Sequence, residues 1–197
     1  MTQFNQALSY DDVLVMPQYS DIESRSEVSL VSELDKDNRF ELPIIASPMD
    51  TVVETDMALA LAELGALGVI HRYNSIRDQK DMAWNVANAA PNKPVAAAIA
   101  ITGDFMERAE ALYNAGVTIL CVDVAHGHHI MMKDALRRLR RDLPDNIHIM
   151  AGNVATRKGY EDLADWGAHS VRIGIGGGSI CSTRVQTGHG VPTFQSV

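Results

Sequence analysis

Leu64-Gly65-Ala66-Leu67-Gly68-Val69-Ile70, Ala115-Gly116-Val117-Thr118-Ile119-Leu120-Cys121-Val122 and Trp166-Gly167-Ala168-His169-Ser170-Val171-Arg172-Ile173 share one grammar: the end of a helix, a capping glycine, then a buried strand. Gly65, Gly116 and Gly167 recur with a period of 51 residues, roughly twice a compact strand-plus-helix unit. Two such units per period are predicted. Their missing partners sit at the half-period, in Pro94-Val95-Ala96-Ala97-Ala98-Ile99-Ala100 and Ile147-His148-Ile149-Met150-Ala151, and Leu42-Pro43-Ile44-Ile45-Ala46 supplies the first strand. Helical patterns follow at 57–64, 78–88, 105–114, 131–141 and 158–165. Near-continuous apolar strands alternating with helices predict a parallel sheet covered on both faces.

A closed eight-stranded α/β barrel takes about 250 residues. Residues 41–197 hold about six units. The predicted fold is therefore a TIM-type (β/α)8 barrel of which this chain carries the first six units. Residues 1–40 are read as an N-terminal extension over the bottom or side of the barrel, too short for a core of its own. An open doubly wound sheet is the alternative. It predicts a glycine fingerprint after the first strand, where the chain instead reads Ser47-Pro48-Met49-Asp50.

With 197 residues and 46% hydrophobic content the chain can bury a real core as one domain or part of one. A net charge of -8 argues against a nucleic-acid surface. The densest basic run, 137–141, lies on an amphipathic helix pattern and reads as a solvated face. Cys121 and Cys181 are far apart with no Cys-x-x-Cys, which fits a reducing compartment, and cytoplasm is the expectation. No leader pattern opens the chain and no apolar run is long enough for a membrane span, so neither secretion nor membrane insertion is expected.

The chemistry points to the stretch Gly174-Ile175-Gly176-Gly177-Gly178-Ser179-Ile180-Cys181-Ser182-Thr183-Arg184. Glycines let backbone amides and carbonyls approach a phosphate or bare cation, while Cys181 faces the same space. An inert, buried cysteine in a flexible turn is the competing reading. Polar and cationic neighbours favour a thiolate nucleophile instead.

In a barrel, the loops after the strands meet over one mouth. That rule gathers Ser47, Met49 and Asp50; His71, Arg72 and Tyr73; Thr102 and Gly103; Asp123 with His126, His128 and His129; and Gly152 with Asn153. A carboxylate closing an apolar run, as Asp123 does, binds a polar group such as ribose hydroxyls or caps a helix. Asn153 and Arg172 can hold a carboxamide or carbonyl, and Arg172 within a strand can equally belong to an ion pair. The histidine spacing fits no zinc motif.

Ala46-Ser47-Pro48-Met49-Asp50-Thr51-Val52, Asp123-Val124-Ala125-His126-Gly127-His128, Ala151-Gly152-Asn153-Val154-Ala155-Thr156 and the 174–184 loop together resemble the IMP dehydrogenase and GMP reductase family. Tyr10-Asp11-Asp12-Val13-Leu14 and Thr187-Gly188-His189-Gly190-Val191-Pro192 are similar too, so the likeness covers nearly the whole chain. Pro48 and His126 look more like the dehydrogenases, since reductases tend to carry asparagine at both places. The dehydrogenases' paired regulatory nucleotide-binding modules have no room between Tyr73 and Pro94.

The resemblance implies oxidation of IMP to XMP with NAD, through a covalent adduct of Cys181, in guanine nucleotide synthesis. It implies catalytic roles for Cys181 and Thr183, contacts to the nucleotide by Ser47, Met49 and Ser179, and a nicotinamide riboside site at Asp123, Asn153, Arg172 and Gly174. It further implies a potassium ion on the backbone carbonyls of Gly176, Gly178 and Cys181, and a homo-oligomer, a tetramer in the family. Two positions depart from the pattern: Gly177 replaces the common proline and Ser182 the usual threonine. The family's last two barrel strands and its flap lie past Val197, which implies that this stretch alone is inactive. The alternatives are a GMP reductase and a non-catalytic nucleotide-binding half-barrel with exposed sheet edges.

Overall fold

The computed structural model describes residues 6–197. A small antiparallel hairpin comes first, β1 (Ser32–Glu33) and β2 (Arg39–Phe40). Six parallel strands follow: β3 (Ile45–Ala46), β4 (Leu67–Ile70), β5 (Ala96–Ile99), β6 (Ile119–Asp123), β7 (His148–Val154) and β8 (Ser170–Ile173). They pair in chain order from β3 to β8. Helices α1 (Thr55–Glu63), α2 (Ile76–Ala89), α3 (Phe105–Asn114), α4 (Ile130–Asp142) and α5 (Arg157–Asp165) connect them, and α6 (Ser182–Thr187) and α7 (Thr193–Ser196) come after β8. Sequential neighbours joined by helical crossovers make six units of an incomplete barrel, as the repeat predicts.

The repeated glycines do what their spacing implies. Gly65, Gly116 and Gly167 have φ of 73°, 93° and 116°, each just past the residue that caps α1, α3 or α5. Only a residue without Cβ takes that left-handed turn cheaply, so each helix stops and the chain swings back into the sheet.

Side-chain alternation sorts the strands into two cores. Ile70, Ala97, Ile99, Leu120, Val122 and Ile149 face the helices and pack with Leu112, Leu136 and Leu139. Leu67, Val69, Ala96, Ala98, Ile119, Cys121 and Met150 face the barrel interior and pack with Phe40 of β2. Both faces are covered, which explains why the strands read as continuous apolar runs. Truncating a residue such as Leu136, fully buried, to alanine removes about 2–5 kcal/mol.

The first strand is shorter than the sequence pattern, since Leu42, Pro43 and Ile44 lie outside β3. Proline has no N–H for the ladder, so pairing starts beyond it. The N-terminal extension covers the interior only through its end. Leu34 and Phe40 pack inside, Asp35 bonds His148, and residues 14–31 are almost wholly exposed. Among the described residues, no helix is long and apolar enough to cross a membrane.

Candidate active site

The C-terminal ends of β3, β4, β6, β7 and β8 converge on one cavity of about 460 Å³. The β3 loop delivers Ser47, Pro48 and Met49, the β4 loop Arg72 and Tyr73, and β6 brings Asp123 with Val124 and Ala125 after it. Asn153 of β7 and Arg172 of β8 line it as well, and Gly174, Gly176, Cys181 and Thr183 close it from the last loop.

Cys181 is half-buried immediately before α6, and its N–H donates to the Gly178 carbonyl at 3.1 Å. The Arg184 N–H holds the thiol below its ordinary pKa, partial burial works the other way, and the Thr183 N–H, Thr183 hydroxyl and Gly176 N–H add to the lowering. Hydrogen bonds to a sulfur favour its anionic form, so these donors prepare a thiolate. Cys121 is the opposite case. It is fully buried, and burial raises its thiol to about 11, which leaves it inert.

Asp123 caps no helix. Its Oδ1 accepts from Arg172 Nη1, while Arg172 Nη2 donates to Ser47 Oγ at 3.1 Å. Burial disfavours the guanidinium, but the neighbouring Cys121 and Asp123 together keep Arg172 above its usual value. Gly152 makes this approach possible, because a Cβ there would stand 2.6 Å from Arg172 Cβ. Asn153 Nδ2 donates to the Gly174 carbonyl at 2.9 Å, tying β7 to the cysteine loop. Gly152 and Asn153 lie inside β7, not after it, at a register shift against β8.

Several residues gathered by the barrel rule lie elsewhere. His71 is buried beneath the mouth, with Nε2 3.3 Å from Glu54 Oε1. His128 bonds Asp162 at 2.8 Å and His129 caps α4 through the Met131 N–H, so two of the three histidines serve local structure. Thr102 and Gly103 are exposed, and neither they nor Gly178 and Ser179 belong to the cavity lining. The Ser179 carbonyl instead accepts from Arg184 Nη2 at 3.0 Å. Sequence reasoning placed Arg72 and Tyr73 at the mouth without a role, and it had no signal for Thr193, whose Oγ1 lies where a Cβ on Gly177 would be, 2.0 Å from it.

A family model described as an IMP dehydrogenase / GMP reductase domain matches residues 7–197. The chain belongs to this family. It is 28% identical to the inosine-5'-monophosphate dehydrogenase of Nitrosopumilus maritimus over 317 residues, covering 99% of this chain and 66% of that protein. With the Borreliella burgdorferi dehydrogenase it shares 32% over 240 residues, 98% of this chain and 59% of the relative. With the GMP reductase of Vibrio parahaemolyticus it shares 33% over 195 residues, 96% of this chain and 56% of the relative. The chain spans less than two thirds of the length of each of these relatives. Both dehydrogenase alignments are longer than the 197 residues available, so those relatives carry segments opposite which this family member has none.

The donor set suits the dinucleotide and the cation expected from the sequence motifs. Asp123 uses one carboxylate oxygen on Arg172, and Asn153 donates to the Gly174 carbonyl, which leaves an acceptor oxygen on each for a riboside or carboxamide. The Gly178 carbonyl accepts one hydrogen bond and keeps a second lone pair, and no N–H bonds the Gly176 carbonyl among the described residues. Such neutral oxygens suit a hard cation.

Proposed function

We propose that the chain supplies the first six units of an IMP dehydrogenase barrel, oxidising IMP to XMP in guanine nucleotide synthesis. The observation that carries this reading is Cys181, beside the Arg184, Thr183 and Gly176 N–H groups that lower its thiol, lining the same cavity as Asp123, Asn153 and Arg172. Cys181 Sγ forms a bond to C2 of the hypoxanthine ring, and hydride leaves C2 with its electron pair. When bound, NAD supplies the hydride acceptor. Water then adds at C2, Sγ departs as thiolate, and a proton is released, so one hard step becomes two easier ones.

Ser47, Met49 and Ser179 hold the nucleotide in this reading, and Thr183 orients the substrate or hydrolytic water beside the sulfur. Asp123, Asn153, Arg172 and Gly174 hold the nicotinamide riboside. The carbonyls of Gly176, Gly178 and Cys181 would take a potassium ion, which steadies the loop carrying the thiol. Among the described residues the outer edges of β3 and β8 are unpaired, and in this reading a homo-oligomer is one way to cover them. The six units alone bind nucleotide without turning it over.

Iodoacetamide labelling of Cys181 with and without IMP tests the reading. IMP is expected to slow labelling several-fold, and identical rates would sink it. A GMP reductase is the second reading, favoured by the Vibrio alignment, whose 195 residues exceed the chain's own share far less than those of the dehydrogenases, and opposed by Pro48 and His126. Assaying the whole protein for NADH formation from IMP against NADPH loss with GMP separates the two.

A further inference from the structure

We propose that Arg72 is the anion receptor of the Cys181 cavity, taking phosphoryl oxygens of the bound ligand. The inference rests on the nucleotide reading above and adds a residue to which that reading gives no role.

Three observations carry it. Arg72 lines the cavity from the end of β4, with Tyr73 beside it. Its Nε is buried and has no hydrogen-bond partner among the described residues. No carboxylate among them lies within ion-pair distance of its guanidinium, whose one specific neighbour is the Tyr73 ring, 5.0 Å from Cζ. A buried N–H donor without an acceptor costs free energy, and more when the group is charged. Binding of an acceptor is the natural way to recover it.

Charge decides the kind of acceptor. The other cation in the cavity wall, Arg172, is matched by Asp123, the cavity's one carboxylate. Arg72 is thus a whole positive charge left over inside a mouth of a protein whose net charge is -8. A neutral carbonyl would satisfy the N–H but leave the charge unmatched. A phosphoryl group satisfies both, since a guanidinium presents paired donors to two oxygens at once. Tyr73, 57% exposed, covers one face of the guanidinium and lines the cavity with it.

The phosphoryl group has two possible sources, a nucleoside monophosphate or the pyrophosphate of a dinucleotide. Calorimetric binding of IMP, inosine, NAD and inorganic pyrophosphate to the 197-residue chain, to Arg72→Ala and to Arg72→Lys distinguishes them. Arg72→Ala is expected to weaken at least one phosphorylated probe about tenfold or more and to leave inosine unchanged. Loss confined to IMP assigns the monophosphate, and loss confined to NAD assigns the dinucleotide. Arg72→Lys should fall between wild type and alanine, because it keeps the charge and loses the fork. Melting temperatures of the variants check that the fold survives.

Equal affinities of wild type and Arg72→Ala for every phosphorylated probe would overturn the receptor and leave the nucleotide reading standing. Pyrophosphate binding that depends on Arg72, with no IMP binding, would do the reverse. A wild-type chain that binds none of the phosphorylated probes removes both.

Discussion

Arg172 on β8 reaches over β7 to the Asp123 carboxylate at the end of β6, and its second nitrogen donates to Ser47 Oγ beyond β3. One guanidinium thereby ties the two edges of the open sheet to its middle. Both side chains of the pair are 20% exposed, so removing one partner strands a largely desolvated charge. Asp123→Asn is expected to lower stability by about 1–3 kcal/mol in urea denaturation. An unchanged midpoint would show that the pair is incidental.

Cys181 and Cys121 should differ in reactivity by environment alone. The Arg184 and Thr183 N–H groups lower the thiol of Cys181, whereas burial raises that of Cys121 to about 11. Alkylation followed by mass spectrometry should label Cys181 first, with a pH midpoint below that of a free thiol. Thr183→Val removes one donor and should move that midpoint upward. Labelling of Cys121 at a comparable rate in the folded chain would contradict the assignment.

Gly177 and Thr193 behave as one unit, because a Cβ on the glycine would lie 2.0 Å from Thr193 Oγ1 but 3.4 Å from Thr193 Cβ. Only the hydroxyl has to move, so Gly177→Ala should cost about 1 kcal/mol. Thr193→Ala should restore most of that loss. A double-mutant cycle is expected to give a coupling of about 0.5–1 kcal/mol, and additive effects would argue against direct contact.

Acid should loosen the hairpin. Burial pushes the Asp35 carboxyl up, but the Asn38 amide, the Asp37 and Asn38 N–H groups and His148 outweigh it and bring it to about 2 from 3.8. A folded value below the unfolded one means that this stabilisation is complete above the unfolded value and is lost as pH falls through the folded one. Burial likewise lowers His148, against the pull of Asp35, so its protonation also favours unfolding as pH drops below 6.5. Thermal melts should decline from neutral pH towards pH 3. Asp35→Asn should flatten the lowest part by about 1 kcal/mol, allowing for the partial exposure of the carboxylate.

Much of the fold was readable from spacing. The 51-residue glycine period foretold helix stops at Gly65, Gly116 and Gly167, and all three have the positive φ that a stop requires. Apolar periodicity foretold six strands and five of the helices, since a helix or strand is set by residues a few positions apart. The glycine–cysteine loop was legible as a candidate for the same reason, its polar groups lying within eleven consecutive residues, and Gly174, Gly176, Cys181 and Thr183 of it line the cavity.

What spacing left open is what depends on chain crossings in space. Asp123 offered a ribose contact or a helix cap; it caps no helix, and packing of β6, β7 and β8 sets one of its oxygens against Arg172. His71 read as a mouth residue, and the turn after β4 buried it on Glu54 while leaving Arg72 in the cavity. Asp35 and His148 stand 113 positions apart, and Thr193 shows no motif that predicts contact with Gly177. Elements follow from local dihedral preference and burial, which neighbours along the chain dictate. Partners across the sheet follow from how those elements close on one another, and that balance of desolvation, charge and free space exists only in the folded molecule.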